Sequence, residues 1–229
     1  MPFWFILASI ALVSLLRWVP VRYTPVMLKR AFQFRQEAGY RSEQEWVSLE
    51  DISPELIKAV VLAEDQKFWR HHGFDWAEIG AMWRSHRQEG TRIRGCSTIS
   101  QQTAKNVFTF GSPTLFRKVM EAWWTFLIEH IWGKNRILEV YLNVAEMGKG
   151  IFGAEALSMR CWEKHASEID LKESIIIAVL LPSPLITQPN YLQVNERIHY
   201  ARIIEQFENE ACFEDYSYFC SRLPFTYYD

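Results

Sequence analysis

The 229-residue chain contains no CxxC pair and no histidine pair at zinc-site spacing, so a metal cluster is not expected. Its four cysteines stand apart at Cys96, Cys161, Cys212 and Cys220. In an oxidising compartment Cys212 and Cys220 are near enough in sequence to close a short loop, and unpaired thiols fit the spacing equally well. Neither sign of charge is in excess: 25 Lys and Arg against 27 Asp and Glu leave a formal net charge of -2, which excludes a strongly basic nucleic-acid binder. There is no internal repeat and no convincing alternation of apolar and polar residues, so a mainly α chain is expected. A hydrophobic content of 49% excludes a disordered tail protein. The length fits one domain of ordinary size plus an appendage and leaves no room for two enzymatic domains.

Aromatic residues are abundant. They make up 15% of the chain, with 10 Trp and 15 Phe, more than a small soluble core needs, and point to a lipid or sugar surface. The first sixteen residues carry no charged side chain, and FWFILASIALVSLL at 3–16 reads as a continuous apolar helix. Continued past Arg17 to Pro20 it would span about 27 Å, adequate for a bilayer with Arg17 snorkelling. Residues 1–20 are therefore expected to be an uncleaved transmembrane anchor, since no small-x-small cleavage pair follows. Arg17, Arg22, Lys29 and Arg30 all follow this segment, and by charge bias alone they would hold the domain in the cytoplasm.

Residues 21–44 read as a polar connector, after which helical patterning dominates. Ser53-Pro54-Glu55 is a helix start, followed by an apolar face that runs into Glu64-Asp65. Ser112-Pro113 opens a second helix whose apolar face includes Leu115, Trp123 and Ile131, with Gly133 as its stop. Further helices are expected at about 135–144, 171–181 and 194–209. The segment 211–229 is aromatic without a period, and its role is not legible.

Three groups of residues could carry chemistry. Glu64 ends an apolar helix beside Asp65 and before Phe68 and His71; an apolar wall and a neighbouring carboxylate both raise a carboxyl pKa towards the range of a working acid or base. The plain alternative is a solvated acid pair. In RGCSTISQQTAKN at 94–106, Thr98, Gln102 and Lys105 fall at i, i+4 and i+7, a stripe of hydroxyl, amide and ammonium suited to a sugar and a phosphate. An exposed polar helix face has the same spacing. Arg117, Lys118 and Glu121 form a cation pair with a carboxylate one helical turn away, which reads either as an anion site or as a surface ion pair of a few tenths of a kcal/mol.

Taken together, EDQKFWRHHGFD at 64–75, RGCSTISQQTAKN at 94–106, RKVMEAWWTFLIE at 117–129 and KNRILEVYLNVAEMG at 134–148 resemble, in order and spacing, the successive motifs of the family-51 peptidoglycan glycosyltransferases. IFGAEAL at 151–157 and LKESIIIAVLLPSP at 171–184 resemble the last ones. The likeness covers roughly residues 46–206, without the transpeptidase domain of the bifunctional penicillin-binding proteins. It implies a lysozyme-like, mainly α glycosyltransferase domain at 45–210 that polymerises lipid II into glycan strands at the outer face of the bacterial cytoplasmic membrane, releasing undecaprenyl pyrophosphate with inversion.

By that resemblance Glu64 is the general base and Glu121 the second carboxylate, orienting the donor pyrophosphate directly or through Mg2+ or Mn2+. No other cofactor is implied. Lys105, Arg117 and Lys118 match the basic positions near the pyrophosphate. Asp65, Phe68 and His71 match supporting positions, and Thr98, Gln101 and Gln102 match polar positions around the sugars. Glu129, Glu139, Tyr141 and Asn143 are assigned to the scaffold. Expected partners are lipid II, the growing strand, the membrane and other cell-wall synthesis or division proteins, with no nucleic acid. The motifs demand a periplasmic domain and outweigh the charge bias.

Two departures stand out. Cys96 replaces the Gly or Ala common before Ser97, and Cys161-Trp162 replaces an aromatic pair; neither touches the implied chemistry. Between the first two motifs, Trp76, Ile79, Met82 and Trp83 with Arg84, Arg87, Arg92 and Arg94 make an amphipathic stretch suited to a membrane interface. A muramidase shares the lysozyme-like core but gives the cations of RK..E and Lys105 no task. An inactive lipid II-binding scaffold is the non-enzymatic alternative.

Overall fold

A computed structural model describes residues 2–90, 97–110, 114–185 and 194–208. Cys96, Arg92, Arg94, the Ser112-Pro113 start, Cys212, Cys220 and the aromatic tail lie outside the described residues. The elements in order are α1 (Pro2–Leu16), α2 (Pro25–Gln33), β1 (Glu43–Gln44), α3 (Pro54–Glu64), α4 (Trp76–Glu89), α5 (Ile99–Phe108), α6 (Leu115–Ile131), α7 (Lys134–Val144), β2 (Glu146–Gly148), β3 (Ile151–Phe152), α8 (Ala154–Trp162), α9 (Leu171–Leu180) and α10 (Val194–Glu208).

The mainly α expectation holds. α3 starts at Pro54 after Ser53, where proline's fixed φ suits the first turn. It packs against α9, with Leu56, Ile57 and Val60 buried, while α5 packs against both α6 and α7. These five helices enclose the core, with Ile99, Ile128, Leu138 and Ile177 fully buried. Asn143, on the last turn of α7, donates to the Val47 carbonyl at 2.9 Å and accepts from the Val47 amide at 2.9 Å, fixing the chain that enters α3.

Four expectations need correction. The connector contains α2, capped by the Thr24 hydroxyl accepting from the Met27 amide, with Pro25 opening the helix. A small sheet exists, in strand order β1-β3-β2 with β1 parallel and β2 antiparallel to β3; strands of two and three residues are too short to show a period of two. The sheet hands over to α8 at Gly153, whose φ of +87° and 2.7 Å approach of a notional Cβ to the Asn143 carbonyl leave space only for glycine. The Trp-rich helix α6 is capped at Thr114, which accepts from the Arg117 amide.

The fourth correction concerns the extent of α1. α1 ends at Leu16, not near Pro20, so its 15 residues rise about 22 Å. Arg136 on α7 donates to the carbonyls of Leu16 at 2.8 Å and Val19 at 2.6 Å, groups at and beyond the end of α1 that have no intrahelical partner, since Pro20 has no N–H to offer Leu16. Trp132 on the turn after α6 donates to the Val13 carbonyl at 2.7 Å, and Phe5 packs on Trp123 and Trp124. α1 thus lies against α6. Among the described residues, no helix is long and apolar enough to cross a membrane.

Candidate active site

Glu64 is the last residue of α3, and the next residue, Asp65, turns the chain away. The Asp65 carboxylate accepts from the Ile99 amide at 2.9 Å and from His71 Nε2 at 2.9 Å, joining the end of α3 to the start of α5. His71 Nδ1 accepts from the Gly73 amide at 3.1 Å, so its ring proton is on Nε2, facing Asp65. Phe68 is fully buried, edge-on to His71, and Lys134 Nζ lies over its ring at 4.5 Å. These three residues fix the turn that follows Glu64.

The start of α5 is a capping box. The Thr98 hydroxyl accepts from the Gln101 amide at 3.1 Å and donates to the Gly73 carbonyl at 2.7 Å, while Gln101 Oε1 accepts from the Thr98 amide at 3.1 Å. Both side chains are buried and spent on this cap, so the stripe read from the sequence keeps only Gln102 and Lys105 on the cleft side. Gln102 Nε2 donates to Glu64 Oε2 at 2.7 Å, and its Oε1 accepts from the Tyr141 hydroxyl at 3.3 Å.

Opposite, on α6, Glu121 is only 2% exposed. Its two oxygens accept separately, from Arg117 Nη1 at 2.6 Å and from Lys118 Nζ at 2.6 Å. The pairing is therefore a buried carboxylate gathering two cations, not the exposed pair of the plain reading.

A cleft of about 400 Å³ opens between these elements, lined by Gln102, Lys105 and Asn106 of α5, Arg117, Tyr141, Ala145, Glu146, and Leu181, Pro182 and Pro184 after α9. Val26, Lys29 and Arg30 of α2 complete the wall. Arg30 Nε donates to Glu146 Oε2 at 2.7 Å, which ties α2 to the strand end. Sequence reasoning missed α2 as a wall and placed Tyr141 in the scaffold; Thr24-Pro25 was the available signal for the former.

Electrostatics follow burial. Removal from water pushes the Glu64 pKa up, against the opposing effects of the Gln102 hydrogen bond and the Lys105 charge, while Asp65 adds to the rise. Burial pushes the Lys105 pKa down; Glu121 and Glu64 oppose this, and Arg117 and Lys118 reinforce it. A carboxylate of raised pKa therefore stands in the field of Lys105, which is itself coupled to Arg117, Lys118 and Glu121. That arrangement can take a proton from a hydroxyl and receive an anionic leaving group.

Both Glu121 oxygens are engaged by Arg117 and Lys118, so a divalent ion bridging Glu121 to a pyrophosphate would have to share a carboxylate oxygen with one of these cations.

The family model described as transglycosylase matches residues 30–208. A biosynthetic peptidoglycan transglycosylase of Mannheimia succiniciproducens is 42% identical over 208 residues, covering 90% of this chain and 85% of its own. The enzymes of the same name from Pseudomonas putida F1 and Salmonella agona are 45% and 44% identical, each over 77% of their own lengths and about four fifths of this chain. The chain belongs to the transglycosylase family.

Proposed function

We propose that this peptidoglycan glycosyltransferase of cell-wall synthesis polymerises lipid II by direct inverting transfer, with Glu64 as the general base. The acceptor's 4-hydroxyl loses its proton to Glu64 as its oxygen bonds to C1 of the donor, and the C1–O bond to undecaprenyl pyrophosphate breaks. Negative charge grows on the departing pyrophosphate, where Lys105, Arg117 and Lys118 stabilise it. Glu121 holds Arg117 and Lys118 in place for that task. Asp65, Phe68, His71, Thr98 and Gln101 position these groups without touching substrate, and no step is routed through a metal. The observation that carries the reading is the half-buried Glu64 hydrogen-bonded to Gln102 at 2.7 Å and within the field of Lys105.

The proposed workplace is the periplasmic face of the cytoplasmic membrane. Trp4, Trp18, Trp76 and Trp83 are all more than half exposed, which supports contact of α1, the turn after it and α4 with lipid. Ile79 and Met82 are partly covered.

The pH dependence tests the assignment. The base must be ionised, so the rate falls as pH drops through the raised Glu64 pKa, above the range of an ordinary glutamate. Lys105 must be charged, so the rate also falls as pH rises through its depressed pKa, earlier than for an ordinary lysine. A bell-shaped profile of polymerisation from labelled lipid II is expected, with its acid limb missing in Glu64→Gln residual activity. An acid limb that survives this substitution would move the base elsewhere.

A further inference from the structure

The Tyr141 hydroxyl has no part in the transfer, yet it is built into the centre. Tyr141 is 1% exposed on α7, and its hydroxyl meets the same amide that contacts Glu64. Hydrogen-bond inventory fixes the direction of each bond. An ionised carboxylate only accepts, so the amide nitrogen of Gln102 must face Glu64. The amide oxygen then faces Tyr141, and the tyrosine hydroxyl must donate.

Shape alone does not distinguish the two flips of a glutamine amide. The other contact of Nε2, to the Ser97 carbonyl, is 3.4 Å, and the Tyr141 hydroxyl lies 3.3 Å from Oε1, both at the long end for their type. In the flipped state a carbonyl oxygen would face the Glu64 carboxylate, lone pair against lone pair. Burial keeps Tyr141 protonated, because its ionisation is pushed well above the ordinary tyrosine range by desolvation and then by Glu64 and Asp65. The hydroxyl therefore remains a donor throughout the working range.

We propose that Tyr141 is a positioning residue of the catalytic centre, which fixes the Gln102 amide so that its N–H is presented to Glu64 Oε2. The proposal rests on Glu64 being the base. The charged and titratable groups facing Glu64 are Lys105 from α5, Asp65 beside it in the chain and Tyr141 from α7. Of the effects opposing burial, the Gln102 hydrogen bond ranks ahead of the Lys105 charge. Loss of the tyrosine donor leaves the Gln102 amide oxygen without its partner and the amide less firmly held, which weakens that bond and makes Glu64 harder to ionise.

The test is the pH profile of polymerisation at saturating lipid II for Tyr141→Phe, Gln102→Leu and the double variant. The acid limb of Tyr141→Phe is expected to move up by about half to one pH unit, a three- to tenfold rate loss on the acid side that shrinks as pH rises. Its KM for lipid II is expected to change far less than its acid-side rate. Gln102→Leu should move the limb at least as far, and the double variant no further than Gln102→Leu alone. An unmoved limb, an equal loss at every pH, or additive shifts would overturn the proposal. Should the phenylalanine variant not fold, the limb of Gln102→Leu decides, and a limb unmoved there also overturns it. Glu64→Gln run in parallel separates the two failures: an active Glu64→Gln removes the base itself, whereas an inactive one beside an unmoved Tyr141→Phe limb removes only the positioning role.

Discussion

Glu64→Gln is expected to lower the rate of glycan polymerisation by about two to four orders of magnitude, the range lost with a general base, while lipid II binding persists. The substitution is nearly isosteric, and the Gln102 amide, 2.7 Å from Glu64 Oε2, still finds a carbonyl oxygen to donate to. Stability should move the opposite way from activity. Because folding raises the Glu64 pKa, its ionised form costs folding free energy at pH values above that raised pKa, and the neutral amide removes the cost. Glu64→Gln is thus expected to unfold at the same temperature as wild type or higher at neutral pH, and the two should converge in acid. A variant both inactive and strongly destabilised would make Glu64 a structural residue.

Glu121→Gln is expected to be nearly as damaging, by about two orders of magnitude, through the cations it releases rather than through proton transfer. Glu121 is buried and its two oxygens are divided between Arg117 and Lys118, whose side chains are themselves partly solvated. An amide accepts at one oxygen only and carries no charge, so one cation is released and the other is held more weakly. A second readout is specific. Glu121 is the largest influence opposing the depression of the Lys105 pKa, so its loss should shift the alkaline limb of the rate profile to lower pH and leave the acid limb nearly in place. Lipid II binding should weaken as well. Movement of the acid limb instead would place Glu121 in the proton-transfer step.

Much of this site is legible in the chain because its signals are local. Pro54 after Ser53 starts α3, an unbroken apolar face carries it, and the helix delivers Glu64 at its end. Arg117 and Glu121 share a helix face by spacing alone, but the same spacing describes an exposed pair, and only the packing of α6 against α5 distinguishes them. Thr98 shows the opposite problem. Its position on the stripe with Gln102 and Lys105 is real, yet it is also the cap of α5, and the unpaired amides of a helix start take its side chain first. Tyr141 looked like scaffold because a single sequence does not reveal that a fully buried ring directs its hydroxyl at the partner of the base. The extent of α1 was misjudged for a similar reason, since Arg136, more than a hundred residues away, takes the carbonyls where the apolar pattern would have continued.

The most direct measurement is glycan formation from labelled lipid II by the solubilised wild-type chain, with released undecaprenyl pyrophosphate counted alongside. Strands of many disaccharides, with one carrier pyrophosphate released for each bond made, are predicted. A protein that binds lipid II and returns it unchanged, or that cuts preformed strands instead of extending them, would contradict the account.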